Sequence, residues 1–250
     1  MGSNVFIKTL DSIDSTNRYV RDEAASLWNE AGAAKVVALS ALSQTSGRGQ
    51  RGNVWLSEGG KNLLLSILVR PCWLGVKEQF LLSQAISLAL LRAMEHYGLH
   101  AEIKWPNDIY VGNRKLAGVL VELDCMSGTV EKAVIGVGLN VNQSSFPAMD
   151  RIPVSMAMIG GGGYSVDDVR DKLLESFLYY YEILERGEKA SIENEYKRHL
   201  KGYMLPMSYN DGNSVFEAAV VDVEPCGRLC LRDAAGTLRC YGFKEVELLL

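Results

Sequence analysis

Apolar positions along the chain recur with two different periods, one typical of strands and one typical of helices. Short apolar runs rich in branched side chains predict strands, and an i, i+3, i+4 spacing of apolar residues predicts helices. Gly112-Asn113 and Met126-Ser127-Gly128 are turn sequences between strand-like runs, so we expect a local antiparallel meander there. The predicted strands cover residues 5–10, 35–42, 62–69, 101–104, 109–111, 115–123 and 130–140, and the predicted helices cover residues 14–29, 76–97, 166–186 and 189–199.

The pattern changes after about residue 206. Apolar and polar residues alternate over 214–223, 228–232 and 237–249, and turn sequences separate these segments. This pattern predicts a small all-β module of the size of an SH3-like barrel. With 250 residues, 48% of them apolar, the chain is long enough for an α/β core plus this module. We therefore predict two domains, over residues 1–203 and 204–250.

Composition and charge argue against several classes of protein. The formal net charge of −4 argues against a general nucleic-acid binder, which normally carries a basic excess. No apolar run approaches the ~20 residues that cross a bilayer. The N-terminus also lacks the layout of a signal peptide, so we expect a cytoplasmic protein without a membrane partner.

The five cysteines predict reduced thiols and no metal site. They form no Cys-x-x-Cys pair, and an odd count without an export signal is typical of the reducing cytoplasm. Cys226, Cys230 and Cys240, with His199 upstream, match no common spacing of zinc ligands. We therefore assign no metal to protein side chains.

The loop over residues 44–55, QTSGRGQRGNVW, has the composition of an anion-binding segment. Its glycines allow backbone N–H groups to approach a ligand, while Arg48 and Arg51 supply forked donors that match phosphate or carboxylate. Trp55 adds a flat apolar surface. A solvated Gly/Arg turn has the same composition, so the loop alone leaves both interpretations open.

Four separated segments extend this observation: DSTN at 14–17, the loop at 44–55, KWPND at 104–108 with RKLAGVLVE at 114–122, and IGVGLNVN at 135–142. In order and spacing they resemble the catalytic domain of biotin protein ligases, and the β module at 206–250 resembles the C-terminal domain of that family. The resemblance covers almost the whole chain. It implies an α+β, class II synthetase-like fold with a mixed, largely antiparallel central sheet, followed by an SH3-like β-barrel.

The resemblance implies a two-step ligation. The carboxylate of biotin attacks the α-phosphate of ATP, which gives biotinyl-5′-AMP and pyrophosphate. A lysine of a biotin carboxyl carrier protein, part of a biotin-dependent carboxylase, then accepts the biotinyl group and releases AMP. Magnesium is expected to arrive on ATP, because it keeps several waters and prefers phosphate oxygens to a protein cage. The sequence leaves open whether the chain is a monomer or a homodimer.

The resemblance implies catalytic roles for Arg48, Lys115 and Asp108. Two anions meet in the first step, so Arg48 and Lys115 are expected to contact the carboxylate and the phosphate. The second step requires a neutral amine, and Asp108 is the candidate that receives or stabilises the proton of the carrier lysine. Asp108 could instead cap a turn or pair with Lys104 or Lys115, and the adenylate phosphate competes for the same proton.

The resemblance also implies two sets of ligand-binding residues. Helix capping alone would equally account for Ser15 to Asn17, Trp55 could belong to the core, and Trp105-Pro106 is expected to be structural. The residues implied to bind biotin are Ser15, Thr16, Asn17, Gln44, Gly47, Arg48, Gly49, Gln50, Lys115, Gly118 and Gly136. Those implied to bind ATP or the adenylate are Arg48, Arg51, Trp55, Lys104, Asn107, Lys115 and Asn140.

Two differences from the family pattern lie in the loop. Many members carry arginine where this chain has Gln50 and Asn53, so the retention of the adenylate is in question. The adenylate is a reactive anhydride that needs protection from water. We therefore expect residues from about 47 to 55 to be mobile without ligand and to order over the intermediate.

Three alternative functions are compared with the sequence pattern. Some relatives repress transcription through an N-terminal DNA-binding domain, but the first predicted strand begins near residue 5, which favours a ligase without that domain. A lipoate ligase uses the same adenylate chemistry on another acid, whereas the loop, the KWPND segment and the β module favour biotin. A binding module without turnover leaves Arg48 and Lys115 unexplained.

Overall fold

The larger unit of the molecule is built on one mixed sheet. The computed structural model describes residues 4–49, 53–148 and 151–250. The strands of the first sheet are β1 (Val5–Ile13), β2 (Val36–Gln44), β3 (Leu63–Val69), β4 (Glu102–Lys104), β5 (Asp108–Val111), β6 (Arg114–Met126) and β7 (Thr129–Leu139). Their order is β1-β2-β3-β7-β6-β5-β4. β1 pairs with β2 in parallel and the other neighbours pair antiparallel, which confirms the predicted mixed, largely antiparallel sheet.

Helices cover both faces of this sheet. Alternate residues of β2 belong to two apolar clusters, because successive side chains of a strand point to opposite faces. Among the described residues no helix is both long enough and apolar enough to span a bilayer. The helices are α1 (Thr16–Asp22), α2 (Ala24–Ala31), α3 (Phe80–His96), α4 (Met156–Gly160), α5 (Val166–Glu185) and α6 (Lys189–Arg198).

The two faces differ in how they are covered. α3 is buried along most of its length and packs against α5 and α6 in the main core, which explains its nearly continuous apolar sequence. α1 and α2 cover the other face with a smaller cluster that includes Val20 and Leu27. β3 lies between these layers, and all seven of its residues are buried.

The predicted antiparallel meander is present as β5, β6 and β7. Ser127 and Gly128 both have positive φ, 52° and 85°, in the turn between β6 and β7. Two such residues form the hairpin turn whose twist matches that of the flanking strands. The turn and a register shift between Asp124 and Cys125 together place Gly118 opposite Gly138.

The second sheet forms the C-terminal module. Its strands are β8 (Met207–Asn210), β9 (Val215–Val223), β10 (Leu229–Asp233), β11 (Leu238–Tyr241) and β12 (Glu247–Leu248). They pair antiparallel in the order β11-β10-β9-β8-β12, which fits the predicted SH3-like module. The predicted division at residue 204 stays a prediction.

The C-terminal module packs against the larger unit through aromatic side chains. The Phe243 ring lies 5.3 Å from the Trp105 ring and 5.8 Å from the Phe80 ring. The Trp105 indole N–H also donates a hydrogen bond to the Gly227 carbonyl at 3.0 Å. Trp105 therefore makes the kind of structural contact that the sequence predicted for it.

Three predicted elements differ from the structure. The helix predicted over 14–29 is interrupted at Glu23, so that Val20 of α1 and Leu27 of α2 both face the sheet. The helix predicted over 76–97 begins with a separate 3-10 turn at Val76–Glu78. The strand predicted over 237–249 is two strands, β11 and β12, which pair with different neighbours.

The cysteines correct a further prediction. Cys230 and Cys240 are joined in a disulfide between β10 and β11, so the expectation of reduced thiols is wrong for this pair. The two residues are direct neighbours in the register of the strands, a relation that sequence spacing does not reveal. Cys72, Cys125 and Cys226 are free, as expected, and all three are exposed.

The two edges of the first sheet differ. The outer side of β4 is covered, because Ile103 exchanges backbone hydrogen bonds of 2.9 Å with His199 and Lys201. β1 pairs only with β2 among the described residues. β1 is therefore the edge at which a second sheet could pair.

Candidate active site

A cavity of about 630 Å³ lies between the first sheet and the C-terminal module. The beginning of α1, the end of β2, the glycine loop, the turn before β5 and the middle of β6 and β7 surround it. The predicted site residues that line it are Ser15, Thr16, Asn17, Gln44, Arg48, Gly49, Trp55, Lys104, Asn107, Asp108, Lys115, Gly118, Gly136 and Asn140. Gly47 lies beside it, and Gln50 and Arg51 fall outside the described residues.

The beginning of α1 forms one polar wall of the cavity. Ser15 is the N-cap, and its side chain accepts a hydrogen bond from the Arg18 N–H, as predicted from its residue type. Thr16 donates its backbone N–H and its hydroxyl to Gln44 Oε1, at 2.8 and 3.2 Å. Capping and a place in the cavity wall therefore occur together.

Asn17 is held from three sides. Ser66 Oγ lies 2.6 Å from Asn17 Oδ1, and Asn17 Nδ2 donates to Glu122 Oε2 at 2.9 Å. A Cβ added to Gly136 would lie 2.4 Å from Asn17 Oδ1, so only glycine fits beneath this side chain. Ser66 and Glu122 were not predicted; the one signal for Ser66 is that it is a lone polar residue in the buried run of β3.

A pair of glycines forms the floor of the cavity. Gly118 and Gly138 are opposite each other on β6 and β7, and the Trp55 ring lies against both. A Cβ at Gly138 would lie 2.4 Å from Trp55 Cε2. Trp55 Nε1 is buried and has no hydrogen-bond partner within the described part of the chain. Gly138 was not predicted, and the ligand role of Trp55 stays a prediction.

The described parts of the glycine loop pair with each other. The Trp55 N–H donates to the Gly47 carbonyl at 3.0 Å, and the Gly49 N–H donates to the Asn53 carbonyl at 2.7 Å. A Cβ at Gly47 would lie 2.4 Å from the Trp55 carbonyl oxygen, which explains the requirement for glycine. The predicted mobility of residues 47 to 55 stays a prediction, and residues 50–52 lie outside the described residues.

Arg48 and Glu122 connect the loop to the polar wall. The Arg48 guanidinium lies 3.4 Å from Glu122 Oε1, and the Arg21 guanidinium lies at the same distance. The Glu122 carboxylate thus contacts two cations with one oxygen and the Asn17 amide with the other. Arg48 is 38% exposed, so an incoming anion can reach it.

Lys115 and Asp108 form an ion pair of 2.7 Å at the other side of the cavity. This is one of the alternatives that the sequence left open for Asp108. Arg151 lies 3.1 Å from the same carboxylate oxygen and 3.9 Å from Glu247 of the C-terminal module. Arg151 and Glu247 were not predicted, because only the fold brings them beside the KWPND segment.

Lys104 is buried in the cavity wall, with its ammonium 5.5 Å from the centre of the Tyr110 ring. Burial lowers its pKa below the usual 10.5, and the Arg151 guanidinium lowers it further. A lysine that is buried away from water, and has no anion at close range, has a lowered pKa because its charged form is destabilised. The environment therefore favours an incoming anion that restores the charge of Lys104.

The two predicted asparagines have different surroundings. Asn140 donates its side-chain N–H to the Val154 carbonyl at 3.1 Å, and its backbone N–H donates to the Leu116 carbonyl at 3.0 Å. Asn107 is buried in the turn between β4 and β5. Their contacts with a nucleotide stay predictions.

Comparisons with known proteins agree with this geometry. Residues 9–140 match the model of the biotin/lipoate A/B protein ligase family. The chain is 30% identical over 201 residues to a biotin–[acetyl-CoA-carboxylase] ligase of Mycobacterium tuberculosis, covering 78% of this chain and 73% of that protein. It is 27% identical over 211 residues to a bifunctional ligase/repressor BirA of Bacillus spizizenii, covering 82% of this chain but only 64% of the relative.

A solved structure shows the same fold. The biotin protein ligase from Aquifex aeolicus in complex with biotin and ATP has a TM-score of 0.79, with 98% of each chain covered and 23% sequence identity. At this identity the likeness establishes the fold and not the activity. The α+β prediction, including the small C-terminal β module, is confirmed.

Proposed function

The chain belongs to the biotin/lipoate A/B protein ligase family, and we propose that it activates biotin with ATP as biotinyl-5′-AMP and transfers the biotinyl group to a lysine of a biotin carboxyl carrier protein. One observation carries this proposal. Two cations, Arg48 and Lys115, lie at one cavity whose polar wall and glycine floor can hold a flat, mostly apolar acid. Such a cavity combines apolar surface with a few fixed polar groups, as small-molecule sites do.

In the first step the cations exchange their partners. Arg48 lies beside Glu122 and Lys115 beside Asp108, so each cation has a carboxylate neighbour before an anion enters. The biotin carboxylate and the α-phosphate compete for these cations, and the developing charge on pyrophosphate strengthens the contacts. Magnesium enters with ATP as part of the substrate.

In the second step the proton of the carrier lysine needs an acceptor. The Asp108 side chain is 16% exposed and contacts Lys115 and Arg151, which hold its carboxylate at the cavity. We propose that Asp108 orients the incoming ammonium and that the adenylate phosphate and Asp108 share its proton. The carrier protein approaches from the open side of the cavity, where Glu247 and Lys244 of the C-terminal module lie.

Biotin is preferred to lipoate as the acid. The ureido edge of biotin needs hydrogen-bond partners, and the polar wall of Thr16, Asn17 and Gln44 offers both donors and acceptors. Lipoate carries a disulfide ring in place of the ureido group, and this ring has no strong hydrogen-bond donor or acceptor. The cytoplasmic location stays a prediction, and the choice between a monomer and a homodimer stays open.

The direct test of the proposal is transfer to a carrier domain. The purified chain is incubated with MgATP, biotin and a biotin carboxyl carrier domain, and the carrier is weighed by mass spectrometry. We expect one biotinyl group on one lysine, and none when that lysine is replaced by arginine. Labelling with lipoate but not with biotin would assign the chain to the rival ligase class, and labelling with neither would contradict the proposal.

Glu122→Gln and Glu122→Ala should have different effects. Glutamine keeps an acceptor for the Asn17 amide and removes only the partly exposed ion pairs with Arg48 and Arg21, so we expect the KM for biotin to change by less than about 5-fold. Alanine leaves the buried Asn17 N–H without this partner, which costs about 1–3 kcal/mol and should raise the KM about 5- to 150-fold. Steady-state kinetics measure both. Equal effects would show that the ion pair, and not the Asn17 contact, is the main role of Glu122.

Nucleotide binding should take up a proton at alkaline pH through Lys104. At pH values between the lowered pKa of Lys104 and 10.5, Lys104 is largely neutral in the free folded chain. The phosphates of a bound nucleotide favour its charged form. The affinity for ATP should therefore fall as pH rises through this lowered pKa. Calorimetry in two buffers of different ionisation enthalpy measures the uptake. Lys104→Arg, which stays charged, is the control, and an uptake of the same size in this variant would exclude Lys104.

The adenylate should be released more slowly by Gln50→Arg than by the natural chain. The prediction rests on the sequence, since Gln50 lies outside the described residues. A restored arginine adds a charge-assisted contact of about 1.5–3 kcal/mol, so the release rate should fall about 10- to 150-fold. Rapid mixing of the preformed complex with excess biotin measures this rate. The charge-matched control is Asn213→Arg on the exposed turn between β8 and β9, which adds the same charge away from the cavity, and equal release by both variants would count against the prediction.

A further inference from the structure

Three side chains that the proposed reaction does not use meet in the C-terminal module, and a fourth, Cys226, contacts one of them. Cys230 of β10 and Cys240 of β11 are opposite each other, with Cα atoms 4.2 Å apart, and form the disulfide. The Glu224 carboxylate lies beside this pair, and its ligand atom and the two sulfurs are all within 4.8 Å of one another. Cys226, on the same turn as Glu224, donates its thiol to Glu224 Oε2 at 3.4 Å.

The fold holds this group in place. The turn that carries Glu224 and Cys226 is closed by hydrogen bonds from the Glu224 N–H to the Arg228 carbonyl at 2.9 Å and from the Gly227 N–H to the Glu224 carbonyl at 2.7 Å. Gly227 has φ of 93°, a conformation that favours glycine. The cysteine pair lies on two neighbouring strands of the module. The two sulfurs and the Glu224 carboxylate oxygen are therefore already close together before a metal binds.

The charged side chains around this group would allow a cation to bind. Arg228 is the nearest positive side chain, 3.8 Å from Glu224 Oε2, but this pair is exposed and therefore weak. The other Arg228 nitrogen donates to the Cys240 carbonyl at 2.7 Å, which directs it towards the backbone. Three thiolates and one carboxylate would outweigh this single guanidinium.

We propose that the reduced form of this group, Glu224, Cys226, Cys230 and Cys240, is a site for a soft divalent cation of the zinc class. Thiolates with a carboxylate in a four-ligand set suit this ion, whereas magnesium and calcium require an all-oxygen set. Tetrahedral bonds of about 2.3 Å place two sulfurs roughly 3.8 Å apart, close to the contact distance of two unbonded sulfur atoms on paired strands. The disulfide and the metal site therefore exclude each other.

The exchange between the two forms balances with a dithiol as the reductant. The dithiol donates two electrons and two protons to the Cys230–Cys240 bond, which gives two protein thiols and one oxidised cyclic disulfide. The cation then binds the thiolates of Cys226, Cys230 and Cys240 and the Glu224 carboxylate, and up to three thiol protons are released to solvent. No electron is transferred in this second step.

Cobalt(II) is the probe of this site, because its bonds to thiolate give a charge-transfer absorption that zinc then removes by displacement. The experiment uses the full chain with Cys72→Ser and Cys125→Ser, which removes the other two thiols. The dithiol is removed by gel filtration under argon before Co²⁺ is added. We expect about one equivalent of tightly bound Co²⁺ in the reduced chain and none with thiolate absorption in the oxidised chain.

Four variants distinguish the site from scattered thiol binding. Cys226→Ser and Glu224→Gln lie on an exposed turn and should each weaken Co²⁺ binding at least about 10-fold, while Cys230→Ser should abolish it. Arg228→Gln removes the neighbouring cation and should tighten binding. The melting temperature without metal shows whether each variant is folded. Equal Co²⁺ binding by the reduced and oxidised chains, or no thiolate absorption in the folded reduced chain, would overturn the proposal without affecting the ligase proposal.

Discussion

Arg48→Ala should lower the rate of biotin adenylation about 100- to 1,000-fold, the largest effect that we expect from a single substitution. Arg48 is the cation of the glycine loop that lines the cavity, and the first step joins two anions that repel each other. Loss of one preorganised donor for developing charge typically has an effect of this size. The rate of ATP-dependent adenylate formation with saturating biotin measures it.

The fold should be unaffected by this change. Arg48 is 38% exposed and its ion pair with Glu122 is long, so alanine should shift the melting temperature by only a few degrees. Arg21→Ala is the matched control, because Arg21 contacts the same Glu122 oxygen but does not line the cavity. A similar loss of rate in both variants, or a large loss of stability in Arg48→Ala, would assign Arg48 a structural role.

Gly136→Ala should abolish biotin binding at concentrations that saturate the natural chain. The new Cβ would lie within 2.9 Å of three atoms of the Asn17 amide, so this side chain must move. Asn17 is buried and bonded to Glu122, and Ser66 lies against it, so moving it disrupts several hydrogen bonds at once. We expect a loss of affinity of at least about 100-fold, measured by calorimetry with biotin alone.

Gly162→Ala serves as the control for this substitution. A Cβ at Gly162 meets no described atom within 4 Å, and its backbone carries no positive φ, so it should bind biotin normally. Gly136→Ser tests the mechanism further, because a larger side chain should bind no better than alanine. Normal biotin affinity in Gly136→Ala would show that the pocket does not depend on the position of Asn17.

Much of the fold could be predicted because the relevant signals are local. Ser15 has the residue type and position of an N-cap, and it caps α1. The Ser127-Gly128 turn closes the β6–β7 hairpin. The alternation of apolar residues in the last 45 or so residues identified the β module. These features depend on neighbours within a few positions.

The missing parts of the site depend on long-range contacts. Glu122 meets Asn17 across 105 positions of sequence, and Arg151 meets Asp108 across 43. Ser66 lies inside an otherwise apolar strand, where one polar residue gives no indication of its partner. Cys230 and Cys240 likewise become neighbours only through the register of β10 and β11. A pattern along the chain cannot specify which of many polar residues meet after folding.

The structure refines the expected role of the charged residues. The sequence offered the Lys115–Asp108 pair as one alternative, but it did not indicate that Arg48 lies beside Glu122 in the same cavity. Lys104 adds a buried cation whose pKa is lowered by burial and by the nearby Arg151 guanidinium. The cavity therefore contains cations that gain from binding an anion, which is the physical basis of the proposed chemistry.

Exchange of labelled pyrophosphate into ATP tests the central claim most directly, because it requires the first step alone and no carrier protein. The purified chain with MgATP should catalyse this exchange when biotin is present, should not do so with lipoate, and should lose it in Arg48→Ala. Biotin-dependent exchange of this kind shows that the cavity joins the two anions. If a folded chain gives no exchange with biotin at any pH at which it is stable, the proposed function is contradicted.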